Sequence, residues 1–238
     1  MKLEKILQSQ GFGTKKMCRY MVLDGLVEVD GEVVDDVHAE FDPLAGGGLE
    51  FAVDGEAWRY REKLYIALNK PVGVECSRRP AVHRGVLSLL PDPFTARDVQ
   101  PVGRLDHDTT GLLLLSDDGN FIHAQSHPKR HVSKTYVATT HAPVTPELVA
   151  KLESGVMLMD EPAPVKAVAR QLAACEIEII LDQGKYHQVK RMLAAAGSHC
   201  VALHRTGIGG LTLAALGLAE GEWCYLEGEH LAKLVAHA

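Results

Sequence analysis

The segment that most restricts the fold is Gly103-Arg104-Leu105-Asp106-His107-Asp108-Thr109-Thr110-Gly111, which runs directly into Leu112-Leu113-Leu114-Leu115. An apolar run of this length, entered through a polar loop bounded by glycines, reads as a buried strand. Such a strand is a rigid support, and the loop that feeds it displays two carboxylates beside an arginine. Asp106 is the best candidate for a nucleophile or base. On the same residues, Asp106 and Asp108 also fit turn positions hydrogen-bonded to local backbone.

The pattern along the chain changes near residue 60. Before it, Leu3, Ile6 and Leu7 repeat at helical spacing, Gly11-Phe12-Gly13 interrupts, and Thr14 caps a second helix with Met17, Tyr20 and Met21 as its apolar side. Lys15 and Arg19 then fall on the opposite side, with Lys16 nearby. Leu26-Val27-Glu28-Val29, the Asp30-Gly31 turn and Val33-Val34 predict a hairpin, and Leu49, Phe51 and Val53 a further strand. After it, Tyr65–Leu68, Tyr136–Thr140 and Cys175–Leu181 read as strands, and Pro146–Leu152 and Tyr186–Ala196 as helices. Strands and helices in this irregular order predict an α+β fold: a small αα-ββ module over 1–60 and a larger domain over 61–238.

Composition bears on partner and compartment. The net charge is −6, which argues against nucleic acid until its distribution is read. Residues 1–58 carry five basic and twelve acidic side chains, whereas no acid at all stands between Gln183 and Ala219, a stretch holding Lys185, Lys190, Arg191 and Arg205. A locally positive cleft on an acidic protein is therefore expected. Five scattered cysteines without a C-x-x-C pair suit a reducing cytoplasm, and no apolar run is long enough to span a bilayer.

Two further segments carry candidate chemistry. Lys134-Thr135-Tyr136 follows a basic, histidine-rich approach, and an exposed aromatic among positive charges can stack on an extruded base. Tyr136 fits a strand core equally well. In Tyr186–Ala196, Val189, Met192, Leu193 and Ala196 form an apolar stripe, so His187, Lys190 and Arg191 project from the other side, where a cation can pair with a carboxylate. The bland alternative is a solvated basic face. His123, His127 and His131 stand four apart like ligands on a helix, but Pro128 between them breaks such a helix, so no metal site is expected. Signatures of P-loop, dinucleotide-binding and α/β-hydrolase proteins are absent.

Taken together, the segments resemble the bacterial pseudouridine synthases that modify ribosomal RNA, most closely the small-subunit (16S) branch. The likeness rests on Leu68-Asn69-Lys70-Pro71-Val72-Gly73, Gly103-Arg104-Leu105-Asp106 with Thr109-Thr110-Gly111-Leu112, Lys134-Thr135-Tyr136, and Tyr186-His187-Gln188-Val189-Lys190-Arg191-Met192, in that order. Residues 1 to about 45 are similar to an S4 RNA-binding module. His187-Gln188 and Leu203-His204-Arg205 with Ile208-Gly209-Gly210 favour the small-subunit branch.

The resemblance implies a mixed, largely antiparallel sheet with a central cleft and a reaction without metal or cofactor. It places the essential aspartate on Asp106, the active-site tyrosine on Tyr136 and the basic partner of the aspartate on Lys190. Arg104, Lys15, Lys16, Arg19, Lys134, His187 and Arg191 become the candidate RNA contacts. The implied partner is 16S rRNA or an assembling small ribosomal subunit, met by a cytoplasmic monomer. The competing readings are a large-subunit (23S) synthase of the same family, a ribosome-assembly factor whose catalysis is secondary, and a hydrolase using the histidines.

Overall fold

The computed structural model describes residues 1–77, 79–127 and 130–235, the side chain of Val235 excepted. The chain divides into two compact units, Met1–Leu64 with Leu87–Gln100, and Tyr65–Val86 with Pro101–Ala238.

The first unit opens with helices α1 (Leu3–Ser9) and α2 (Lys15–Leu23) and continues with strands β1 (Val27–Val29), β2 (Glu32–Val33), β3 (Glu50–Val53) and β4 (Glu56–Arg59). The strands form one sheet in the order β2-β1-β3-β4. Asp30 and Gly31 both take positive φ (53° and 81°), the backbone that a two-residue hairpin turn requires. Thr14 caps α2 by accepting from the Met17 amide, as its position predicts.

The inward side of α2 differs from the expected one. Cys18 and Val22 are buried, while Met17 and Tyr20 are each about half exposed. The stripe is offset by one residue because Cys18 packs as a small hydrophobe. Lys15, Lys16 and Arg19 remain on the exposed side.

Leu87–Gln100 returns to this unit through α3 (Asp92–Ala96), a contribution the sequence did not announce. The Phe94 ring meets Trp58 edge-on at 6.2 Å, and Trp58 meets Phe12 in the same way at 5.1 Å. Arg97 donates to Gln10 Oε1 and to the Arg61 carbonyl. Gly11 is obligatory in this packing: a Cβ there would lie 2.0 Å from the Pro93 carbonyl oxygen.

The second unit contains β5 (Tyr65–Lys70), β6 (Val74–Glu75), β7 (Arg84–Gly85), β8 (Gln100–Val102), β9 (Thr109–Ser116), α4 (Gly119–Ser126), β10 (Lys134–Thr140) and α5 (Pro146–Ser154). There follow β11 (Val168–Ala173), β12 (Glu176–Leu181), α6 (Gln188–Ala195), β13 (Cys200–Ile208), β14 (Leu211–Thr212), α7 (Leu213–Leu216), β15 (Trp223–Tyr225) and α8 (Gly228–Val235). Its main sheet runs β11-β12-β10-β13-β9-β5-β15, with β14 beside β13 and β8 beside β9. Neighbours along the main run are antiparallel except β9 and β13, which lie parallel. The expected mixed, largely antiparallel sheet is thus present, and Leu112–Leu115 is fully buried inside it.

The parallel join matters for the site. Gly111 pairs with Arg205 across it, and a Cβ at Gly111 would stand 2.3 Å from the Arg205 carbonyl oxygen. Only glycine lets β9 and β13 approach this closely at the point where the Asp106 loop enters the sheet.

Candidate active site

The loop carrying Asp106 is fixed from beneath. Lys70, at the end of β5, is completely buried and donates from Nζ to the carbonyls of Pro71 (2.9 Å) and Thr109 (2.8 Å), with the His107 carbonyl at 3.5 Å. Burial lowers its pKa, partly offset by Cys76, Asp108 and Asp106. The Gly73 amide donates to the His107 carbonyl, the Leu105 amide to Cys76 Sγ, and the Thr109 amide to the Asp106 carbonyl. Turn, lysine and thiol together hold Leu105–Thr109 from both flanks. In the sequence Lys70 belongs to a motif without a task of its own; a lysine closing the apolar run Tyr65–Leu68 after Asn69 is the available signal.

Helix α6 supplies the positive charge. Val189, Met192, Leu193 and Ala196 are buried as the stripe predicts, which turns Lys190 outward to the loop. Its Nζ stands 2.7 and 2.8 Å from the Asp108 carboxylate oxygens and 3.5 Å from Asp106 Oδ2. The cation therefore bridges two carboxylates, with the shorter contacts to Asp108. Burial works against the Lys190 charge, yet Asp108 and then Asp106 raise its pKa above the ordinary lysine value. At Asp108, burial favours the neutral acid, but the Lys190 hydrogen bond and charge prevail and lower the pKa.

His187, a candidate RNA contact in the sequence, also faces the aspartate. Its Nε2 is 3.2 Å from Asp106 Oδ1, so the two oxygens of Asp106 face an imidazole and an ammonium. The helix begins only at Gln188, because His187 takes left-handed backbone (φ 49°, ψ 29°). A non-glycine residue in that region stores strain, which persists where surrounding contacts fix it. The Tyr186 ring stacks on the His187 ring at 3.8 Å and is 75% exposed.

Asp106, Tyr136, Arg104, Lys134, Tyr186, His187 and Arg205 line one cavity of about 460 Å³. Tyr136 is buried in β10, in register with Ile179 and Arg205 on the flanking strands, and so serves the strand core and the cavity wall at once. Arg104 is exposed at this cavity and has no polar partner among the described residues. Lys134 is half-buried and donates to the Val132 carbonyl; burial, and then the charge of Arg205, lower its pKa to about 8, against the attraction of Asp182. Arg191 pairs with Asp160 at 2.6 Å, which leaves it less available to RNA than its helix position suggests.

The histidine row does not form a helical ligand set. Helix α4 ends at Ser126, His127 has extended backbone, and His131 has φ 51°. Pro128, on which that expectation turned, lies outside the described residues.

Comparison with known proteins agrees with this geometry. Residues 64–195 match the family model for RNA pseudouridylate synthase. A crystal structure of a pseudouridylate synthase superimposes with a TM-score of 0.68 at 32% identity, over 99% of this chain and 100% of that one. The chain belongs to the RNA pseudouridine synthase family and is an RNA isomerase. Within that family it is of the ribosomal small-subunit pseudouridine synthase A type. The Escherichia coli K12 protein of that name is 37% identical over 236 residues, covering 99% of this chain and all of the relative. An uncharacterized RNA pseudouridine synthase of Bacillus subtilis is 35% identical over 97% of each chain. No helix of the described residues is long and apolar enough to cross a membrane.

Proposed function

We propose that this enzyme converts one uridine of small-subunit (16S) rRNA to pseudouridine, with Asp106 acting on the extruded nucleotide. The observation that carries the reading is the constellation around Asp106, whose two oxygens face His187 and Lys190 at the edge of a cavity also lined by Tyr136. The small-subunit relatives supply the substrate class.

Isomerisation breaks the bond between ribose C1′ and base N1, turns the base and rejoins it through C5. It requires no net oxidation or hydrolysis. The uridine must leave its stack, at a cost of a few kcal/mol, and the Tyr136 ring offers a surface for the displaced base. Asp106 then adds to C6, attacks C1′ or removes the C2′ proton; each route uses the carboxylate form, beside which Lys190 and His187 are placed. Arg104, exposed at the cavity, is suited to a phosphate. The first unit, with Lys15, Lys16 and Arg19 on the open side of α2, acts as an S4-like RNA-binding module attached to the catalytic unit. One site per chain makes a cytoplasmic monomer sufficient, with naked 16S rRNA or an assembling subunit as substrate.

The test is a carbodiimide and primer-extension map of small-subunit rRNA treated with the protein or its Asp106→Ala variant. One new stop, made only by the unaltered protein, is expected. Stops confined to large-subunit rRNA would reassign the substrate, and an equal stop with Asp106→Ala would refute the role of the aspartate.

A further inference from the structure

Arg205 is a guanidinium with donors to spare in the cavity wall. It is 4% exposed, its Nε donates to the Leu112 carbonyl at 2.7 Å, and its Nη2 is buried without a partner among the described residues. Among the described residues no carboxylate pairs with it. A cation held this way is costly unless something else supplies negative charge. Lys134, on the neighbouring strand and lining the same cavity, compounds the imbalance, because among the described residues its ammonium donates only to the Val132 carbonyl. Asp182 offsets part of the charge on Lys134, whereas the Asp106 and Asp108 carboxylates are met by Lys190. The cavity thus has an acid held by cations on one wall and an uncompensated cation on another.

We infer that Arg205 is a catalytic residue that stabilises the negative charge developing on the uracil oxygens as the base leaves the ribose, with Lys134 adding to the positive field. This rests on the proposed function and extends it. When the bond from C1′ to N1 breaks, its electron pair stays on the base and spreads to O2 and O4. The base turns, C5 returns a pair to C1′, the proton on C5 is lost and N1 gains one, so no oxidant or reductant enters. If Asp106 instead adds to C6, the displaced pair of the C5–C6 double bond again goes to O4. All three routes therefore place negative charge on a carbonyl oxygen, and fixed donors in a partly dry cavity act on such charge at little reorganisation cost.

The experiment measures single-turnover rate and RNA affinity for the unaltered protein, Arg205→Gln and Arg205→Lys, on target RNA carrying uridine or 5-fluorouridine. Fluorine stabilises the base anion, so it replaces part of what the guanidinium supplies. Loss of the uridine or 5-fluorouridine nucleoside from nuclease digests gives the rate. Arg205→Gln should slow uridine turnover by about 10²-fold, with affinity within about threefold and a loss at least about tenfold smaller on 5-fluorouridine. Arg205→Lys should fall between. Equal losses on both substrates, a loss confined to affinity, or an unchanged rate would overturn the inference. Should both variants fail to fold, Lys134→Met carries the same comparison, with a smaller but still substrate-dependent loss expected and equal losses again contradicting it. If the unaltered protein forms no pseudouridine, the proposed function fails; if it does and the variants behave alike on both bases, this inference alone fails.

Discussion

Helices α2 and α6 are built from similar parts and used in opposite ways. Each is short, buries an apolar stripe and carries basic residues on or beside its other side: Lys15, Lys16 and Arg19 on α2, and His187, Lys190 and Arg191 at α6. On α2 the cations are exposed; among the described residues Lys15 reaches only Glu4, at 3.5 Å, Lys16 lies 5.9 Å over the Tyr20 ring, and Arg19 has no polar partner. At α6, the three meet Asp106, Asp108 and Asp160, all contributed by other parts of the second unit. Exposed charge is available to a polyanion, whereas paired charge holds other side chains in place. Helix sequence alone does not separate these uses; the acids that decide between them lie at least 27 residues away in the chain.

Lys190 carries the largest difference between the two helices. Lys190→Met leaves Asp106 and Asp108 without their ammonium, and single-turnover rate should fall about 10²- to 10³-fold. RNA affinity should stay within about threefold. An affinity loss as large as the rate loss would mean that α6, like α2, works chiefly as a phosphate contact.

Lys134 gives the pH dependence its sign. The folded chain releases its proton at about 8, below the ordinary lysine value of 10.5, so its positive charge is present below that pH and lost above it. Because Lys134 adds to the field on the leaving base, single-turnover rate should decline on an alkaline limb centred near pH 8. Lys134→Arg, which keeps its charge, should move that limb upward. An unmoved limb would assign it to another group. The same depressed value makes the fold less favourable below pH 8 and relieves it between about 8 and 10.5.

The α2 cations should act on affinity instead. Lys15→Ala with Arg19→Ala should lower the slope of log affinity against log salt by roughly 1.4, taking about 0.7 per single-strand phosphate contact. Single-turnover rate at saturating RNA should not change. A rate loss without a change of slope would remove α2 from the RNA interface. The smallest effect belongs to Arg191→Ala: its partner Asp160 is more than half exposed, so the thermal unfolding midpoint should move little, with turnover preserved.

Much of this was legible in the sequence because it is local. The buried Leu112–Leu115 strand, the Asp30-Gly31 hairpin, the Thr14 cap and the α6 stripe each follow from a few consecutive residues. The motif residues Asp106, Tyr136 and His187 line one cavity, with Lys190 bonded to Asp106 beside it. What escaped was set by contacts distant in the chain. Asp108 as the closer partner of Lys190, the buried Lys70 under the Asp106 loop and the return of Leu87–Gln100 to the first unit all depend on tertiary packing. The helix read from Tyr186 begins only at Gln188, because His187 takes left-handed backbone; that turn, which the apolar stripe does not reveal, brings the imidazole to Asp106. Tyr136 fits core and site equally in the sequence, and its strand position buries it while it lines the cavity.

The proposed division of labour puts the chemistry on Asp106 and RNA binding elsewhere. Its most direct test measures single-turnover pseudouridine formation and RNA dissociation constant on one preparation of Asp106→Asn, which keeps the side-chain shape and removes the carboxylate. Product formation should be abolished while affinity stays within about threefold of the unaltered protein. Turnover at an ordinary rate would contradict the account.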